Sequence, residues 1–186
     1  MYFRKVLILN LFVSLIMSQE QLGSDIDGEV AGDNSGGSVS LDSDGDRVAI
    51  GAYNNDGNGS DAGHVRVYSW DGSSWNQLGN DIDGEAAGDK SGISVSLDSD
   101  GDRVAIGAHY NDGSYSDAGH ARIYSWGGSS WTQLGSDIDG EAADDRFGRS
   151  VSLDSDGDRV AIGAYNNDGN GSDAGHARIY SWGGSS

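Results

Sequence analysis

The 186-residue sequence contains no cysteine and no proline. Without cysteine there is no disulfide framework and no thiolate metal centre. Positive charge is scarce, with 11 Lys and Arg against 30 Asp and Glu and a formal net charge of −19. Phosphate backbones are held by cationic patches, so this balance excludes nucleic acid as a partner, and it disfavours an anionic membrane surface for the same reason. Long apolar runs are missing too. The one hydrophobic stretch, Val6–Met17, is shorter than the roughly 20 residues that span a bilayer. It follows Arg4 and Lys5 and precedes Ser18-Gln19-Glu20, the order of an export signal with a cut after Ser18. Residues 1–18 are therefore expected to be a signal peptide. Residues 19–186 are expected to be secreted or displayed at the cell surface, with no membrane insertion once the signal is removed.

What the chain does have is itself, three times. Gln21-Leu22-Gly23-Ser24-Asp25-Ile26-Asp27-Gly28-Glu29 recurs at 77–85, with Asn80 for Ser24, and again at 133–141. The copies, 21–76, 77–132 and 133–186, keep a period of 56 residues without insertion or deletion. A fixed period of this length marks a propeller, a solenoid or an array. With 31 glycines the composition alone could suggest disorder, but Val, Ile, Leu, Tyr and Trp fall at fixed places in every copy, as a packed repeat requires.

Within the first copy, Ser38-Val39-Ser40-Leu41 alternates polar and apolar, the period of a half-buried strand. Asp42-Ser43-Asp44-Gly45-Asp46 follows, and its Asp-Gly predicts a type I′ hairpin turn. Arg47–Ala52 is the return strand. Asn54–Gly63 reads as a polar loop, and His64–Trp70 as a third strand. After a tight turn at Asp71–Ser74, Trp75-Asn76-Gln77-Leu78 opens a fourth, less regular strand running toward Ile82. Four short antiparallel strands per repeat make one propeller blade. The fold class is therefore all-β, with propeller-type repeats. A parallel β-helix is the rival, although its Gly-rich nonapeptide is missing.

The third copy reads Phe147-Gly148-Arg149-Ser150-Val151 and then Gly163-Ala164-Tyr165. This resembles the FG-GAP repeat, the blade unit of the integrin α-subunit propeller. The other copies carry Ser35-Gly36 and Ser91-Gly92 in place of Phe-Gly, and Gly51-Ala52-Tyr53 and Gly107-Ala108-His109 in place of Gly-Ala-Pro. The resemblance spans residues 19–186 and implies an extracellular propeller for adhesion, with a protein or glycan ligand. Propellers close with about four to eight blades, and three are present. The third copy also stops before the counterpart of Trp75, while Gln21–Asp27 is a fourth-strand segment with no blade before it. An incomplete propeller, a piece of a longer protein, is expected. Self-association of two chains into a six-bladed ring is the other way to complete it.

The acidic turns are the strongest candidates for chemistry. Asp42, Asp44 and Asp46 recur as Asp98, Asp100 and Asp102 and as Asp154, Asp156 and Asp158. Alternate carboxylates around a Gly turn can converge on Ca²⁺, which takes six to eight oxygen ligands. The integrin-type loop that these turns resemble is longer, and Arg47 stands where a further acid would help. Structural calcium and a plain solvated turn both remain open at this point. A second acidic set is Asp25, Asp27 and Glu29 with its copies. A third is Asp56, Asn58 and Asp61 in the polar loop, where the second copy departs with Ser114 and Tyr115. His64, His120 and His176 share one repeat position and are expected to pack between blades, since ring symmetry keeps them apart. His109, unique to the second copy, is expected at the surface. Tyr68, Trp70 and Trp75 are expected to pack rather than to stack on sugars. Arg66, Arg122 and Arg178, and Arg47, Arg103 and Arg159, are expected to pair with acids. No nucleophile sits in a distinctive setting, so no enzymatic activity is expected. The function read from the sequence is a secreted binding or adhesion module. The alternatives are an inert spacer array and the non-catalytic part of a secreted enzyme.

Overall fold

A computed structural model describes residues 18–182. The expected signal peptide lies outside the described residues, save Ser18. The described residues contain strands and turns and no helix. The first blade comprises β1 (Ser35–Leu41), β2 (Arg47–Ala52), β3 (His64–Trp70), β4 (Trp75–Gln77) and β5 (Ile82–Asp83). The second comprises β6 (Ser94–Leu97), β7 (Arg103–Ala108), β8 (His120–Trp126), β9 (Trp131–Gln133) and β10 (Ile138–Asp139). The third comprises β11 (Phe147–Leu153), β12 (Arg159–Ala164) and β13 (His176–Ser181). Every pairing within these sheets is antiparallel.

The irregular fourth strand has a structural cause. β4 and β5 both pair with β3, through Tyr68 opposite Gln77 and Val65 opposite Ile82. The residues between them bulge off the ladder, with Gly79 at φ 71°. That bulge brings Gly79 under the Trp126 ring of the next blade, where a Cβ would lie 2.8 Å from the indole. The Trp131 indole N–H then donates to the Leu78 carbonyl at 2.9 Å. Residues Leu22 and Gly23 make the same contacts with Trp75 and Trp70 in the first blade. The aromatics therefore pack at the seams, as expected, with the Trp126 and Trp131 rings 5.3 Å apart.

The blades stack face to face. Ala49, Val65, Val67 and Ile82 of the first blade share one core with Leu97, Val104, Ile106 and Tyr124 of the second. Ala105, Ala121 and Ile123 share the next core with Phe147, Val160, Ile162 and Ala164. The polar positions of the inner strands stitch the same seams. Ser38 and Ser94 donate their hydroxyls to the Gly92 and Gly148 carbonyls at 2.7 and 2.8 Å. Ser40 and Ser96 accept from the Leu97 and Leu153 amides at 3.0 Å.

Two faces of the stack are open. Val39 and Leu41 are 63% and 59% exposed, whereas Leu97, the counterpart of Leu41, is buried. Ile179 is 73% exposed, while its counterparts Val67 and Ile123 are buried. The described chain is thus a run of propeller-like blades rather than a closed ring.

Candidate functional site

β1 and β2 are joined by five residues, and Gly45 alone takes positive φ, at 72°. A type I′ turn needs positive φ at two adjacent residues, so that expectation is corrected. The reason lies in the Asp42 side chain, whose Oδ1 accepts the amides of Asp46 and Arg47 at 3.0 and 3.1 Å. A carboxylate that caps the turn makes a wider loop stable. Asp98 and Asp154 accept the Arg103 and Arg159 amides in the same way. Each turn also leans on the next, with the Ser43 amide donating to the Ser99 carbonyl at 3.1 Å and Ser99 to Ser155 at 3.0 Å. Contact between the Asp42 and Asp46 carboxyls raises the proton affinity of Asp46, with burial adding to it. Burial does the same for Asp98.

Asp44, Asp100 and Asp156 do not join their neighbours in a three-donor cluster. Among the described residues, three potential ligand atoms lie within 4.8 Å of one another in two places, and neither is a turn. One is Glu29, His64 and Asp81, and the other is Glu85, His120 and Asp137. Each group draws on two repeats, because the segment that closes one blade also lies across the next seam.

The seam is built around an arginine. Arg66, Arg122 and Arg178 donate to the carbonyls of Asp27, Asp83 and Asp139 at 2.7, 2.7 and 2.6 Å. The same guanidinium groups lie 3.7, 3.4 and 3.1 Å from Glu29, Glu85 and Glu141. The expected pairing with acids holds here. Arg47 and Arg103 instead donate to backbone carbonyls of the next turn, Gly101 and Gly157, at 3.0 and 2.8 Å. Arg159 lies 3.7 Å from Asp154. Beside the arginines sit His64 and His120, each 1% exposed, as packing between blades requires. Burial, with Arg122 adding to it, pulls the His120 pKa down to about 4, so its ring is neutral at pH 7.

A second buried polar element escaped the sequence reading. Asn55, Asn111 and Asn167 donate to Asp33, Asp89 and Asp145 at 3.0, 2.9 and 2.9 Å. The same carboxylates accept the amides of Val30, Ala86 and Ala142. The signal was present, since these six residues recur on the 56-residue period. The polar loop is likewise built for structure. Asp56 accepts the Asp61 amide at 2.7 Å, and Asn58 reaches the Gly84 carbonyl at 2.8 Å. In the second copy Ser114 takes over the Asn58 role, donating to Gly140 at 3.1 Å, while Tyr115 stands 56% exposed.

A cleft of about 560 Å³ lies between Glu29–Asp33 and the loop residues Asn54–Asp61. The counterparts of its first wall are occupied in the later copies. The Gly88 and Asp144 amides donate to the Ser60 and Ser116 carbonyls, each at 2.9 Å, and both acceptors lie in the loop of the preceding blade. The cleft thus lies beside the segment whose counterparts in the later copies receive the loop of the preceding blade.

His109 is 6% exposed, which corrects the expected surface position. Its ring stacks on Tyr110 with centroids 4.0 Å apart. Burial first, then Arg149, Arg146 and Lys90, lower its pKa to about 4. The unfolded chain, with a pKa near 6.5, binds the proton more readily. This neutral ring's contribution to stability is therefore full above pH 6.5 and is lost as pH falls from about 6.5 to about 4. Allowing for solvent screening, His109→Gln should remove about 2 kcal/mol of acid sensitivity across that window. Urea midpoints of both proteins at pH 7 and pH 4 check this, and parallel pH profiles would refute it.

Three consecutive antiparallel blades of five, five and three strands, joined through shared cores, define a propeller-type repeat protein. Residues 137–180 match the family model of the FG-GAP repeat, a segment that begins at the end of the second blade and runs through the third. The comparison with curated proteins returns no match.

Proposed function

We propose that the chain is a non-catalytic binding or adhesion module that works outside the cell, with calcium as a structural clamp on its acidic turns. The observation that carries the reading is the FG-GAP match at 137–180 in a chain whose other copies repeat the same blade. The polar loops offer an extracellular protein or glycan a surface on a rigid frame, the usual place for recognition in such folds. Crowding between Asp42 and Asp46 supports a divalent cation at the turns, because it would relieve the repulsion between carboxylates.

The open faces favour association with further blades. A second copy of this chain, set head to tail, presents Val39 and Leu41 to the exposed Ile179 face. A light-scattering mass at the monomer value across micromolar concentrations would remove self-association from the reading.

The calcium clamp is tested by thermal melts in chelator and in millimolar Ca²⁺ at matched ionic strength. A ligand bound only by the folded state adds about 2.7 kcal/mol at a hundredfold excess over Kd. An upward shift with Ca²⁺ that is lost in Asp42→Asn, Asp98→Asn and Asp154→Asn combined is expected. An unchanged melt would leave the turns as solvated hairpins and favour the spacer array.

A further inference from the structure

We propose that each complete seam binds a borderline divalent cation, with zinc the best fit, on Glu29, His64 and Asp81 and again on Glu85, His120 and Asp137. His64 Nδ1 lies 4.0 Å from Glu29 Oε2 and 3.6 Å from Asp81 Oδ2. His120 Nδ1 lies 3.8 Å from both Glu85 Oε2 and Asp137 Oδ2. These separations are too long for hydrogen bonds. They are close to the roughly 3.4 Å between neighbouring ligands of a tetrahedral zinc with bonds of 2.0–2.2 Å.

A separate observation points to a ligand. His120 Nδ1 is buried, faces the two carboxylates and has no hydrogen-bond partner. A buried nitrogen with no partner is costly to the fold, and a metal ion would satisfy it.

The carboxylates are already oriented. Gln77 and Gln133 donate to Oδ1 of Asp81 and Asp137 at 2.6 and 2.7 Å, which leaves Oδ2 turned to the histidine. Arg66 and Arg122 lie against Oε1 of Glu29 and Glu85, which leaves Oε2 for the same purpose. Outer partners that hold ligands in this way are a regular part of metal sites. The glutamates are 44% and 43% exposed at their side chains and the aspartates 29% and 30%. An ion can thus enter from solvent, and water can supply the fourth ligand. An imidazole in the set selects against calcium and magnesium, which favour all-oxygen sites, and towards zinc. These seams are therefore chemically distinct from the acidic turns.

The third repeat supplies an internal control. Glu141 and His176 repeat the first two ligands, but among the described residues they form no third such group. The expected capacity of this 186-residue chain is two ions.

The test uses the full chain, stripped with chelator and titrated calorimetrically with zinc chloride in the presence of excess calcium. Two zinc ions per chain are expected, falling to one in Asp137→Asn or His120→Gln and to none when Asp81→Asn and Asp137→Asn are combined. His176→Gln should still bind two. The aspartate variants keep the fold testable, because Gln77 and Gln133 can donate to an amide oxygen as well. Cobalt chloride should give visible tetrahedral absorption in the wild type and lose it in the double aspartate variant. Zinc binding that the aspartate variants leave unchanged, or that calcium abolishes, would overturn the proposal.

Discussion

Gly107→Ala is expected to separate the second and third blades. A methyl group at Gly107 would lie 2.8 Å from the Gly148 carbonyl carbon and closer still to its oxygen. The obstacle is backbone, so no rotamer change relieves it. Gly107 does not have positive φ, so the effect is steric rather than conformational. Overpacking of this kind costs about 1–3 kcal/mol and more where nothing can move. A loss of at least about 3 kcal/mol is expected.

Gly51→Ala should behave alike, since its Cβ would lie 2.9 Å from the Gly92 carbonyl carbon. Gly163 holds the same motif position in the third blade, where no further described blade follows. Its Cβ would meet only the movable Ser150 side chain at 2.5 Å and, at van der Waals distance, that residue's own Cβ and carbonyl. Gly163→Ala should cost less than about 1 kcal/mol. Because repeat stability is largely a sum of units and interfaces, urea unfolding of Gly107→Ala should split into two transitions. A single transition at the wild-type midpoint would show that the seam tolerates the methyl group.

This seam gives a physical account of the FG-GAP pattern. Gly148 sits at a β-bulge, where the pairing of β11 with β12 shifts between Phe147 and Ser150. It takes φ 84° there, which a side chain rarely adopts. Its carbonyl then rests against Gly107 of the preceding blade. The two glycines of the motif therefore meet across a seam rather than within one blade.

The strand order was legible in the sequence because alternation at Ser38–Leu41 and His64–Trp70 repeats without a break, and repeated local signals reinforce one another. The break in the fourth strand was partly legible, in the run from Trp75 towards Ile82. The turn type was not, because Asp42 uses its side chain as a cap and no local propensity reveals that competition. The burial of His109 was hidden as well, since it depends on its contact with Tyr110 and on packing in the stack rather than on its neighbours in sequence. The histidine seams were missed for a related reason. Three histidines at symmetric positions cannot share one ion, but His64 and His120 each meet acids from two consecutive copies. Glu29, His64 and Asp81 recur together as Glu85, His120 and Asp137, and that joint period was the available signal.

Phe147→Ala should be the most damaging truncation of a single side chain. Phe147 is fully buried and, among the described residues, the largest of the fully buried side chains. It packs in the core that joins the second and third blades, and the Arg178 guanidinium carbon lies 4.2 Å from its ring centroid. Removing a buried phenylalanine costs about 3–5 kcal/mol through lost transfer energy and the cavity left behind. Arg178 would lose its apolar support as well. The second copy has Ser91 at this position, also fully buried, with a hydroxyl that finds no partner. Removal of an unpaired buried polar group relieves a desolvation cost. Ser91→Ala should therefore leave stability unchanged or raise it by up to about 1 kcal/mol. Opposite signs at one motif position would show that the phenylalanine of the pattern fills a particular seam and is not needed for a blade to fold. Urea denaturation of both variants decides this. A cost below about 1 kcal/mol for Phe147→Ala would mean that the second seam closes without its aromatic anchor, as the first one does.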